Sequence, residues 1–127
     1  MANGELKVLL EEMLAPLGGV VIKRMFGGYG LFLDGLMFGL IADDQLYFKT
    51  TAAGRAAFEA EGLGPFTYTK KGTDAVLTSY WQAPERLLDE PDELIGWARD
   101  AVRSAGMAHA AKQRTKRQKT SASRAGS

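Results

Sequence analysis

The chain has 127 residues, 46% of them hydrophobic, and no cysteine. That length and apolar share fit one small domain with a modest core. The missing thiols exclude disulfides, a thiol nucleophile and thiolate metal sites.

The net charge of +1 conceals an asymmetry. Six basic residues (Lys112, Arg114, Lys116, Arg117, Lys119, Arg124) and no acidic one lie from position 112 onward, which leaves ten basic against fifteen acidic before them. An acidic body of about −5 thus carries a basic tail of about +6. The start, MANGELKVLLEEM, has neither the basic region nor the long apolar core of a secretory signal. Asp34 interrupts the longest apolar run, GLFLDGLMFGLIA, before it could span a bilayer. A cytoplasmic protein is expected, and a cysteine-free chain fits a reducing compartment.

Leu6, Leu9, Leu10, Met13, Leu14 and Leu17 recur at helical spacing and predict an amphipathic helix that stops near Pro16 and Gly18. VVIKRMF reads as a strand, followed by YGLFL and LMFGLIA, which Asp34-Gly35 separates. Asp-Gly between apolar runs signals a hairpin, because a type I′ turn needs positive φ at both central residues. A second tight turn at Asp43-Asp44 leads into QLYFK. Thr50 or Thr51 then caps a short alanine-rich helix, AAGRAAFEAE, which Gly62 ends. PFTYTK and AVLTSYWQ read as two more strands joined around Lys71-Gly72. Pro91 suits a first helical turn, and Leu94, Trp97, Ala98, Ala101, Val102 and Ala105 form one apolar stripe. The predicted order, α-β-β-β-β-α-β-β-α, is an α+β fold in two layers, an antiparallel β-sheet with helices packed on it. A domain over residues 1–106 and a basic tail over 107–127 are expected, with KTSASRAGS at the end disordered.

The stretch RMFGGYG (24–30) holds three glycines in four positions after an arginine. Glycine loops bind phosphate when they open a helix whose N–H groups face the anion. Here a strand follows, and neither G-x-x-x-x-G-K-[ST] nor a G-x-G-x-x-G leading into a helix occurs. A bulge or tight turn is the favoured reading. A regular two-residue hairpin at Asp34-Gly35 would pair Gly30 with Gly39 and Tyr29 with Leu40. Gly39 would pair with Phe48 in turn, so Gly30, Gly39 and Phe48 would share one cross-strand row. An aromatic ring over bare glycines, or a helix close to them, would fill the space. Both faces of this hairpin are apolar, which predicts helices on one and a second chain or the basic tail on the other.

Little else suggests catalysis. His109 is the single histidine, no G-x-S-x-G elbow occurs, and the acid pairs stand at turns and a helix start. No enzyme, no metal site and no cofactor are expected. Two features remain. The tail residues Lys112, Arg114, Lys116, Arg117 and Lys119 are candidate nucleic-acid contacts, suited to phosphate backbones with steep salt dependence. Arg24 and Lys49 flank the central strands and form a candidate interaction patch, which could also take a small ligand.

The segments RMFGGYGLFLDGLMFGLIADDQLYFKT, FEAEGLGPFTY and SYWQAPERLLDEPDELIGWARDA occur in one order over roughly residues 5 to 105. Together they resemble the N-terminal domain of the TfoX/Sxy proteins, bacterial regulators of competence for DNA transformation. The resemblance implies an antiparallel sheet in two layers and a non-enzymatic role in transcription. It also implies action with the cyclic-AMP receptor protein, or another transcription factor, at competence promoters. The full-length regulators carry a further, C-terminal helical domain, and the family offers no established catalytic or ligand residues. A protein-interaction or chaperone-like module without DNA contact is the alternative, and a homodimer is expected from the apolar sheet face. No membrane partner is expected.

Overall fold

The computed structural model describes the backbone of residues 2–25 and 27–125, and the side chains of those residues other than Lys70 and 116–125. Among them, six strands form one antiparallel sheet: β1 (Val21–Met25), β2 (Gly28–Leu33), β3 (Leu36–Ala42), β4 (Gln45–Lys49), β5 (Pro65–Lys70) and β6 (Thr73–Gln82). Their order in the sheet is β1-β2-β3-β4-β6-β5. Helix α1 (Asn3–Met13) precedes the sheet, α2 (Arg55–Glu59) links β4 to β5, and α3 (Pro91–Ala125) follows β6. This is the two-layer α+β order read from the sequence.

Local chemistry explains the hairpins. Asp34 and Gly35 have φ of 51° and 78°, Asp43 and Asp44 have 49° and 62°, and Lys71 and Gly72 have 53° and 79°. Positive φ at both turn residues is type I′ geometry, whose twist matches that of the flanking strands. Asp tolerates this region because its short polar side chain can bond locally.

α1 and α3 cover one face of the sheet. Leu6, Leu10 and Leu14 recur every fourth residue and are fully buried, so they form one helical stripe. Leu94, Ala98, Ala101 and Ala105 form the matching stripe on α3. Its three alanines let the helix lie close to β3 and β4, where Phe38, Ile41 and Phe48 fill the space between. Burying a phenylalanine fully contributes roughly 1.5–3 kcal/mol, so Phe38 and Phe48 are large terms in a small core. Phe58 of α2 packs edge-on against Trp97, with centroids 4.9 Å apart.

The hairpin register departs from the regular one expected. Leu33 pairs with Leu36 and Phe32 with Met37, but Leu31 then pairs with Gly39, Gly30 with Leu40 and Tyr29 with Ile41. Phe38 is the extra residue of a β-bulge, which places two residues of β3 against one of β2. Gly39 does pair with Phe48, but its row runs Leu31, Gly39, Phe48 and Trp81 across four strands. Gly30 leaves that row and turns to the opposite face.

An ion cluster joins three segments at one end of the molecule. Nε and Nη2 of Arg86 donate to the two Glu61 oxygens at 2.8 and 2.6 Å, a bidentate pair. Arg86 also bonds Glu90 and Glu93, tying the turn after α2 to the start of α3. Hydrogen bonds from Arg86 hold the Glu61 and Glu93 carboxyls below the usual value of 4.5. A carboxylate whose folded-state value is lowered contributes stability above its unfolded value and loses it as pH falls. Replacing Arg86 with methionine is therefore expected to lower the unfolding temperature at about pH 7, with the deficit shrinking toward about pH 3. Calorimetry across that range checks this; a deficit independent of pH would assign Arg86 a packing role instead.

Candidate functional site

The glycine stretch opens into a hairpin turn, not into a helix. Met25 pairs with Gly28 across the β1–β2 turn, and Gly27 there has φ 78°. A Cβ on Gly28 would run into the Ile41 carbonyl oxygen of β3, so backbone proximity forbids any side chain at that position. Asn3 pins this end of the sheet. Its Nδ2 donates to the Gly27 carbonyl at 3.3 Å, and its Oδ1 accepts from the Asp44 N–H at 2.6 Å. The glycines thus serve a turn and a close strand approach.

Arg24 sits opposite Tyr29 on the edge strand β1, exposed to solvent. Lys49 ends β4, three strands further along the sheet, or roughly 14 Å at the usual strand spacing. The structure does not bring these two together. It brings Lys49 to the tail instead. α3 runs without a break to Ala125, so the division expected at residue 106 falls inside a helix. The helix thereby carries Lys112 and Arg114 past the end of β4. Lys116, Arg117 and Lys119 continue on the same helical backbone, with side chains outside the described residues. His109 is exposed on α3.

Between α3 and the strand ends lies a cleft of about 540 Å³. Lys49, Thr51 and Ser79 line it from the sheet side, and Ser104, Ala111 and Arg114 from the helix. The Lys49 ammonium stands 4.9 Å from the Tyr80 ring centroid, a cation–π contact. Partial burial, and then the nearby Lys112 charge, pull the Lys49 pKa down. Tyr80 donates from its hydroxyl to the Met37 carbonyl at 3.2 Å, and burial pushes that phenol up to about 12. Lys49, Lys112 and Arg114 make no ion pair among the described residues, although Lys7, Arg86 and Arg103 each do. Sequence reasoning missed Ser79 and Ser104. The available signal was the row Ser104, Ala108 and Ala111, small residues on one face of a helix long enough to pass the sheet.

The sheet face away from α1 and α3 holds an apolar trough of about 580 Å³. Met25, Met37 and Leu40 form one side, and Phe66, Tyr68 and Leu77 of the β5–β6 hairpin form the other. Phe66 meets Tyr47 edge-on, with centroids 4.9 Å apart, and stacks with Tyr68 at 5.7 Å. Among the described residues no group of three or more histidine or acidic side chains could hold a metal ion. No described helix is long and apolar enough to cross a membrane.

Residues 12–105 match the model of the TfoX N-terminal domain. The chain belongs to that family. A DNA transformation protein, TfoX1, of Aliivibrio fischeri is 33% identical over 97 residues, which are 73% of this chain and 46% of that protein. An uncharacterized 12.7 kDa protein in the trpE 5′ region of Spirochaeta aurantia is 31% identical over 81 residues, 63% of this chain and 64% of its own length. The chain therefore spans about half of the one relative and under two thirds of the other. The match to the TfoX N-terminal domain ends at Ala105, so Lys112 and Arg114 lie beyond the family's shared segment while Lys49 and Ser79 lie within it.

The Lys49 environment gives a direct test. Replacing Lys112 with alanine is expected to raise the Lys49 pKa toward its ordinary value without fully restoring it, because burial remains the larger cause. Titration of isotopically methylated lysines by NMR reads this; an unmoved Lys49 resonance would place Lys112 too far away to act.

Proposed function

We propose that this chain is a non-enzymatic regulatory module of the TfoX type. It works through a transcription factor, through DNA, or through both, and the DNA-uptake genes of competence are its field of action. The observation that carries this reading is the family match over residues 12–105, reinforced by a relative named as a DNA transformation protein. A partner of the cyclic-AMP receptor type, or another transcription factor, follows from that resemblance. The basic residues on the last turns of α3 supply the second support. Phosphates attract such a run regardless of sequence, and each neutralised phosphate adds a slope of about −0.9 to log affinity against log salt.

The apolar trough favours a second reading, an interaction module that engages another protein or a second copy of itself and touches no DNA. Large exposed apolar patches mark such surfaces.

Deleting residues 112–127 separates the two. The full chain is expected to lose up to about 10³-fold in duplex affinity between about 50 and 200 mM salt. The shortened chain is expected to bind weakly and with a shallow slope. Fluorescence anisotropy on one duplex at both salts measures this. Unchanged, salt-insensitive binding by the shortened chain would remove the tail from the account. A protein partner retained by the full chain from nuclease-treated lysate, with no duplex binding, would favour the second reading.

A further inference from the structure

We propose that the cleft between α3 and the end of β4 is a phosphate-binding site, formed by Lys49, Arg114 and the hydroxyls of Thr51, Ser79 and Ser104. The inference concerns a discrete pocket and stands whether or not the tail binds DNA.

Three observations converge. The cleft measures about 540 Å³, inside the range of roughly 300–1,000 Å³ common for small-ligand pockets. Its lining includes Lys49, Arg114 and several hydroxyl-bearing residues and no carboxylate, with the Lys49 ammonium resting over the Tyr80 ring. Phosphate offers acceptors only to hydrogen-bond donors of this kind, and a guanidinium can meet two of its oxygens at once. The helix side also contributes Met107, Ala108, Ala110 and Ala111, and the three alanines leave room where longer side chains would fill the cleft.

Charge and hydrogen bonding point the same way. Lys49, Lys112 and Arg114 gather like charges with no carboxylate partner among the described residues. A nearby anion of double charge relieves that repulsion more than a carboxylate does. Thr50 donates its hydroxyl to the Thr51 carbonyl at 3.3 Å, and Thr51 Oγ1 accepts from the Gly54 N–H at 3.2 Å. The Thr51 hydroxyl proton therefore stays available. The backbone is fixed as well, since the Thr50 N–H donates to the Ser79 carbonyl at 2.9 Å, holding the two strand ends in register beneath the cleft.

The same phosphate chemistry is offered by the free ion, a mononucleotide and a nucleic-acid backbone, and the test separates these sources. Inorganic phosphate, adenosine 5′-monophosphate and a short DNA duplex are each titrated into the full chain, with chloride at matched ionic strength as the reference. Amide resonances of Thr51, Ser79 and Ser104 are followed. Phosphate is expected to move these three amides selectively, and the double variant Lys49→Gln/Arg114→Gln is expected to weaken the response at least tenfold. The variant's unfolding temperature is measured beside the parent's, because Lys49 also contacts the Tyr80 ring, and the comparison is made where both are folded. A Ser104→Val variant adds an independent arm, with a smaller loss expected while every charge is kept.

If the double variant loses the small phosphates but keeps duplex binding, the site serves a free ligand. If it loses the duplex beyond the loss caused by Lys116→Gln/Lys119→Gln, the site takes a backbone phosphate. Either outcome supports the proposal. Equal shifts with chloride, or full phosphate binding by the double variant, would overturn it. Absent duplex binding with an intact phosphate response would count against the DNA reading alone.

Discussion

The bulge at Phe38 governs the molecule. By strict alternation β3 would send Phe38 to one face and Gly39 and Ile41 to the other. The extra residue brings Phe38, Gly39 and Ile41 to the same face, and every later strand inherits that choice through its register. Phe48 and Leu46 of β4 and Trp81 of β6 therefore join Leu31 and Phe38 beneath the helices. Gly39 has no side chain in that row, so Leu31 and Phe48 close over it. A Cβ there would come within 2.9 Å of the Tyr47 carbonyl oxygen. The two phenylalanines buried in this way, Phe38 and Phe48, give α1 and α3 a surface to rest on.

The same choice shapes the other face. Leu40 and Met37, released from the core, line the trough with Phe66 and Leu77. Tyr80 also points away from the helices and supports Lys49 with its ring. The covered face thus determines where α3 lies, and the length of α3 determines what meets Lys49. Because α3 continues past the sheet, charges that begin at Lys112 stand beside a strand end formed more than sixty positions earlier in the chain. Fold and electrostatics are linked through the path of that single helix.

Much of the fold was legible because its signals are local. The type I′ turns at Asp34-Gly35 and Asp43-Asp44 follow from residue chemistry, as do the leucine stripe of α1 and the alanine stripe of α3. The bulge was not legible. Phe32, Met37 and Leu40 are as apolar as Leu31, Phe38 and Ile41, so hydrophobic alternation could not distinguish two registers one residue apart. The cleft was not legible for a different reason. Lys49 and Arg114 come together only through tertiary structure, and the sequence pairs Lys49 as readily with Arg24. The extent of α3 was hidden by composition, since a polar, alanine- and lysine-rich segment suits a solvated helix and a disordered tail alike.

The register of β2 against β3 is the claim on which the rest stands, and cross-strand NOEs between these strands test it most directly. The account predicts contacts of Tyr29 with Ile41 and of Gly30 with Leu40, alongside the shared pair of Phe32 with Met37. Contacts of Tyr29 with Leu40 and of Gly30 with Gly39 would show an unbulged hairpin and contradict it.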